Sequence, residues 1–159
     1  KDHDIVFEVR VTDFLYENNM DKRGFSRMGA EAIACATDQN RFWDYYHQAI
    51  RRLWQDYHSK GIGSSKNAPA IKDLTPAYWE SIASDVKLDN SFKSCLSEHK
   101  MLETVKQNTA DATTLMLRHN LGGMPSFKFN NFTSSGFDTN WDYSYVERYL
   151  AAGLAKNLK

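Results

Sequence analysis

The spacing of apolar residues changes twice along this chain, and those two changes limit its fold more than any other feature. Near the start, Ile5, Phe7, Val9 and Val11 alternate with Val6, Glu8 and Arg10. A period of two is what a strand with at least one buried face requires. Asn18-Asn19 and Gly24 then break the chain. From about Ser26 to His119 apolar residues recur three and four apart, the spacing of helices that bury one side. Past Gly122-Gly123 the alternation returns, with Phe127 and Phe129 set between Ser126 and Lys128.

Within the helical stretch the boundaries are marked by capping chemistry. Ser26 is a candidate N-cap for a helix carrying Met28, Ala32 and Cys35. A second helix is expected from about Arg41 to Tyr57. Its broad inward face would hold Phe42, Tyr45, Tyr46, Ala49, Ile50, Leu53, Trp54 and Tyr57. Residues 61–69, rich in Gly and Ser and ending in Pro69, read as a loop. Thr75-Pro76 opens a third helix with Tyr78, Ile82 and Val86 along its stripe. Asp89 or Asn90 can cap a short helix holding Phe92, Cys95 and Leu96. A longer one follows over about 101–119, with Leu102, Val105, Thr109, Ala112, Leu115 and Met116 inward. Gly122-Gly123 is expected to end it. Asn130-Asn131 reads as a turn returning Phe132–Ser134 antiparallel to Phe127–Phe129. A final helix over about 142–154 would carry Tyr145, Val146, Tyr149 and Leu150.

The 159 residues suit one domain with a sizeable core, and 42% hydrophobic with 25% charged residues is a globular composition. Lys plus Arg and Asp plus Glu balance at 20 each. That balance offers no footprint for nucleic acid or an anionic membrane surface. No apolar run approaches the roughly 18 residues of a membrane span, and no signal peptide is visible. The start at Lys1 rather than Met suggests a processed or trimmed chain.

The two cysteines, Cys35 and Cys95, lie 60 positions apart, so neither belongs to a local Cys-x-x-Cys. They suit one long-range disulfide in an oxidising compartment or two buried thiols in a reducing one. A bridge closing so long a loop would stabilise by ~4 kcal/mol in the chain-entropy picture. Cys95 and His99 share a helical face at i, i+4, but two ligands do not close a zinc site, and no metal is expected. The aromatic run Phe42-Trp43-Asp44-Tyr45-Tyr46 reads as a helical core with a partly exposed flank rather than a ligand platform. Asn131-Phe132-Thr133 fits the N-glycosylation pattern.

Four segments together resemble a known family. Ala34-Cys-Ala-Thr-Asp-Gln-Asn-Arg-Phe-Trp-Asp-Tyr-Tyr-His47 is similar to the segment that opens the helical insertion of DsbA-like proteins. Ser91-Phe92-Lys-Ser-Cys95-Leu96 is similar to the family's Phe-x-x-Cys-Leu before its long helix. Leu121-Gly-Gly-Met-Pro125-Ser-Phe-Lys-Phe-Asn130 resembles its cis-proline loop and following strand, and Ser135-Gly136 matches the stretch before its last helix. The landmarks keep the family's order and span nearly the whole chain. Two positions depart from the pattern: Asn131 stands where Gly is usual, and Met124 where Thr or Val usually precedes the proline.

The resemblance implies an α/β fold, a thioredoxin-like sheet (about 1–25 and 119–159) with a helical subdomain inserted over about 26–118, in a single domain. It implies an extracytoplasmic thiol–disulfide oxidoreductase acting on extended segments of exported proteins and working with a redox partner protein. No dissociable cofactor is needed. Gly123, Met124 and Pro125 would hold the substrate segment, with Met124–Pro125 cis so that the Met124 backbone can pair with an extended peptide. The family's Cys-x-x-Cys would fall before Ile5, so no catalytic residue is expected here. Its chemistry needs a thiolate whose pKa a helix N-terminus depresses and a second cysteine to resolve the mixed disulfide. Cys35 and Cys95, on apolar stripes, cannot replace it. The segment carrying that pair would lie upstream, come from a second chain, or stay bound as a separate piece. The rival readings are a non-catalytic peptide-binding or scaffold domain and the glutathione-transferase/isomerase branch of the same fold.

Overall fold

In a computed structural model of the chain, residues 6–63, 67–129 and 132–135 are described. The chain divides into two compact units, Lys1–Thr109 and Ala110–Lys159. Among the described residues the helices are α1 (Phe14–Glu17), α2 (Phe25–Cys35), α3 (Phe42–Asp56), α4 (Pro76–Asp85), α5 (Ser91–Ser97) and α6 (Leu102–His119). Single 3₁₀ turns, Ala36–Gln39 and His58–Lys60, follow α2 and α3. In the second unit β1 (Ser126–Phe129) pairs antiparallel with β2 (Phe132–Ser135), Phe129 opposite Phe132 and Ser126 opposite Ser135.

The core of the first unit gathers around α2, whose small residues let its neighbours approach closely. Ala32, Cys35 and Ala36 pack with Tyr45 and Ala49 of α3, Trp79, Ile82 and Ala83 of α4, and Phe92, Cys95 and Leu96 of α5. On the other flank Ala30 and Ala34 meet Val105 and Val11. The indole of Trp79 lies so near Gly29 that a Cβ there would sit 3.0 Å from a ring carbon. A side chain at that position would press on the indole and force it to shift by a few tenths of an ångström.

Helix starts follow local hydrogen bonding. The Asp21 carboxylate accepts the Ser26 N–H at 2.5 Å and its hydroxyl at 2.9 Å. The capping oxygen is thus Asp21's, where the sequence reading placed Ser26. Pro76 occupies the first turn of α4 after extended Thr75. The Asp89 carboxylate accepts the Ser91 N–H at 2.8 Å at the start of α5.

Helix ends share one device. Asn19, Asn40, Lys87, His99 and Asn120 all have φ between 50° and 57°, and Gly61 has φ 74°. After each of them the next N–H reaches back five residues to a carbonyl: Met20 to Leu15, Arg41 to Ala36, Ile62 to Tyr57, Leu88 to Ala83, Lys100 to Cys95 and Leu121 to Met116, at 2.9–3.1 Å. This is the Schellman closure, in which a left-handed residue satisfies an orphan carbonyl. Five of these six left-handed positions carry a side chain. Gly122-Gly123 is the expected end of α6, but Asn120 turns the chain before either glycine is reached.

The expected α/β class is corrected here. Among the described residues the only sheet is the two-stranded β1–β2 ribbon, and the fold is helical, with no thioredoxin-like sheet. Residues 6–12 form no ladder: Val6 is 90% exposed and Phe7 66%. Alternation identified an extended segment, but alternation cannot supply a partner strand. Only Val11, at its end, joins the core. The inward face of α3 is also narrower than its pattern suggested. Tyr45 and Ala49 are buried, whereas Ile50 and Trp54 face outward. The expected turn at Asn130-Asn131 and helix over 142–154 lie outside the described residues.

The left-handed conformation costs a side chain about 1–2 kcal/mol, while glycine loses about 0.5–1 kcal/mol of unfolded-state freedom. Lys87 is exposed. Lys87→Gly should therefore raise stability by about 0.5–1 kcal/mol in urea unfolding. A loss of stability would contradict the helix-end geometry described for α4.

Candidate functional site

Both cysteines are spent in one bond. Cys35 ends α2, Cys95 lies in α5, and they form a disulfide with Cα atoms 5.9 Å apart. Both are buried, at 1% and 4% exposure, and no free cysteine remains. A disulfide sulfur carries no thiolate, so neither can open an exchange reaction while the bond persists. Tyr45 packs beside this cluster with its ring 5.1 Å from that of Phe92. Its hydroxyl donates to the Trp79 carbonyl at 3.0 Å. Burial pushes the Tyr45 pKa well up, so the donor stays protonated at any ordinary pH.

Gly123, Met124 and Pro125 form one bend between α6 and β1. Gly123 has φ 150°, a region that favours glycine, and the Met124–Pro125 peptide is cis. The Ser126 hydroxyl donates to the Gly123 carbonyl at 2.6 Å and holds the bend against the first residue of β1. Met124 is half-buried and Pro125 exposed. Among the described residues the backbone N–H and C=O of Met124 have no hydrogen-bond partner. A main-chain donor and acceptor left open next to a strand is a place where an extended chain can pair.

Two buried polar sites escaped the sequence reading. Asp13, fully buried, receives Arg27 Nε at 2.6 Å and the Thr109 hydroxyl at 2.6 Å, and its own N–H donates to that hydroxyl oxygen at 3.0 Å. Arg27 also pairs with Glu17 and lies 3.9 Å over the Tyr16 ring. This network joins the chain entering α1 to α2 and α6. Glu31, 1% exposed, bonds His99 Nδ1 at 3.0 Å. His99 therefore turns to Glu31, and Cys95 to Cys35, rather than both to one metal ion. Among the described residues no three His, Cys, Asp or Glu side chains are grouped as metal ligands. The one signal for these sites in the sequence is polar residues at positions the helical period marks as inward, such as Thr109.

Compared with protein-family models, with curated proteins and with solved structures, the chain matches none. Among the described residues no helix is long and apolar enough to cross a membrane.

The disulfide spans 60 residues. The double variant Cys35→Ala/Cys95→Ala should lose about 2–5 kcal/mol in denaturant unfolding, the usual cost of removing a native disulfide. A loss below about 1 kcal/mol would mean that the bond adds little to packing already complete.

Proposed function

We propose that this chain belongs to an extracytoplasmic DsbA-like thiol–disulfide oxidoreductase, in which it holds the substrate segment while the exchanging cysteine pair lies outside these residues. The observation that carries the reading is the open backbone of Met124 at the head of β1. An extended stretch of a client protein can hydrogen-bond there as an added strand, without any demand on its sequence. That suits an enzyme acting on many exported proteins. Two of the four family-like segments, Ala34–His47 and Ser91–Leu96, carry the two cysteines joined by the buried disulfide. Such a bond is characteristic of compartments that oxidise thiols.

In this scheme a thiolate of the external pair attacks a client disulfide, forming a mixed disulfide and releasing one client thiolate. The second cysteine of the pair then displaces the client, leaving the enzyme pair oxidised and the client reduced. The reverse sequence oxidises the client. A redox partner protein restores the pair. Cys35–Cys95 takes no part, because both sulfurs are buried and already bonded. A non-catalytic peptide-binding module is the second reading, favoured by the absence of any free thiol.

The test is disulfide turnover by the full-length protein, followed as insulin reduction and as oxidative refolding of a reduced protein. Turnover is expected, and it should survive in the Cys35→Ala/Cys95→Ala variant at temperatures where that variant is folded. Met124→Pro, which removes the Met124 N–H, should raise KM for a peptide substrate at least several-fold. Full-length protein that binds peptides but turns over no disulfide would replace the enzyme reading with the binding module.

A further inference from the structure

The outer face of α3 carries an apolar stripe. Trp43 is 42% exposed, Ile50 50% and Trp54 61%, and His47 is exposed between them. At i, i+4, i+7 and i+11 these four side chains fall within about 60° of one another around the helix and run about 16 Å along it. Phe7 extends the stripe at one end, its ring stacked on Trp43 at 5.8 Å and itself 66% exposed. The opposite side of α3, Tyr45 and Ala49, is already used by the core, so helix packing within the first unit does not account for these outward aromatics. Contiguous apolar patches of this kind on a folded surface mark association sites.

The charges beside the stripe say what fits it. Asp44 and Arg51 stand i, i+7 on the same flank, and both are exposed. Asp44 pairs with Arg41, the residue that precedes α3. Arg51 has no ion-pair partner among the described residues, whereas the neighbouring Arg52 is held by Asp56 and Asp85. When two copies of one helix pack antiparallel about a two-fold axis, the same flank of each faces the other. An axis passing between positions 47 and 48 brings Asp44 of each copy opposite Arg51 of its partner, twice. It also nearly superposes the two stripes, whose midpoint lies only one residue away. The two-fold requirement that a surface match itself is thus met in both its apolar and its charged parts.

We infer that α3 is the contact face of a homodimer, formed by the Trp43, His47, Ile50 and Trp54 stripe packing antiparallel on a second copy and closed by reciprocal Asp44–Arg51 ion pairs. An aromatic side chain offers roughly 150–250 Å². At the observed exposures the stripe with Phe7 presents on the order of 500 Å² per copy. Two copies therefore bury about 1,000 Å², the lower bound of specific interfaces, which makes the dimer reversible and concentration-dependent. Ion pairs at its rim make it weaker in high salt.

Sedimentation velocity over a concentration series of the full-length protein tests this, with circular dichroism confirming that each variant is folded. A monomer–dimer equilibrium is expected. Trp54→Glu should raise the dissociation constant at least tenfold. Asp44→Lys and Arg51→Asp should each raise it several-fold, and the two combined should bring it back to within about twofold of the unaltered protein. A protein that stays monomeric at several hundred micromolar overturns the inference and leaves the stripe to another segment of the parent chain or to a different protein. A dimer indifferent to Trp54→Glu, or one that the double charge reversal fails to restore, also overturns it, by placing the contact elsewhere.

Discussion

The bond between Cys35 and Cys95 is the constraint on which the first unit is organised. It joins the last residue of α2 to the middle of α5, and the residues packed around it come from α3 and α4. Removing apolar surface from water draws these helices together but does not fix which faces meet. A covalent tie between two helices of that same core, with a sequence separation of 60, removes many extended conformations from the unfolded chain. Gly29 of α2 lets the Trp79 ring approach closely, and the Tyr45 hydroxyl donates to the Trp79 carbonyl.

Polar groups finish what the disulfide begins. Asp13, Arg27 and Thr109 are partners across up to 96 residues of sequence. A buried carboxylate without them would carry the full cost of its lost hydration. Glu31 and His99 do the same between α2 and the end of α5. His99 serves twice there, its backbone in the left-handed turn that closes α5 and its side chain on Glu31. Such networks favour one arrangement over others that would bury similar apolar area.

The helices were legible in the sequence because a 3.6-residue period and a few caps determine them locally. Pro76 at the start of α4 follows from its fixed φ at a first helical position, and Phe92, Cys95 and Leu96 as the buried face of α5 follow from the period. The antiparallel return of Phe132–Ser134 on Phe127–Phe129 was legible from alternation on either side of Asn130-Asn131, and the paired strands extend one residue further, to Ser135 and Ser126. Three features were not. Glycine was the expected end of α6, yet Asn, Lys and His hold most of the left-handed positions that close the helices, at a steric cost that composition does not reveal. The alternation at Ile5–Val11 promised a sheet, but pairing is a long-range property that one strand cannot specify. The expected apolar face of α3 was broad, and the structure gives part of that face to the core and leaves Ile50 and Trp54 outside.

In the proposed candidate site the open Met124 backbone was legible only through the family resemblance and not from the pattern of the residues themselves, since an unpaired N–H is a property of the whole fold. The functional account gives the chain's two cysteines to structure and leaves exchange to thiols elsewhere. Thiol mapping tests that division most directly. The full-length protein would be isolated without reductant from the compartment where it works, alkylated under denaturing conditions and cut into peptides. The account predicts that the Cys35 and Cys95 peptides appear joined to each other and unalkylated. Recovery of both as free alkylated thiols, or of either joined to another cysteine, would contradict it.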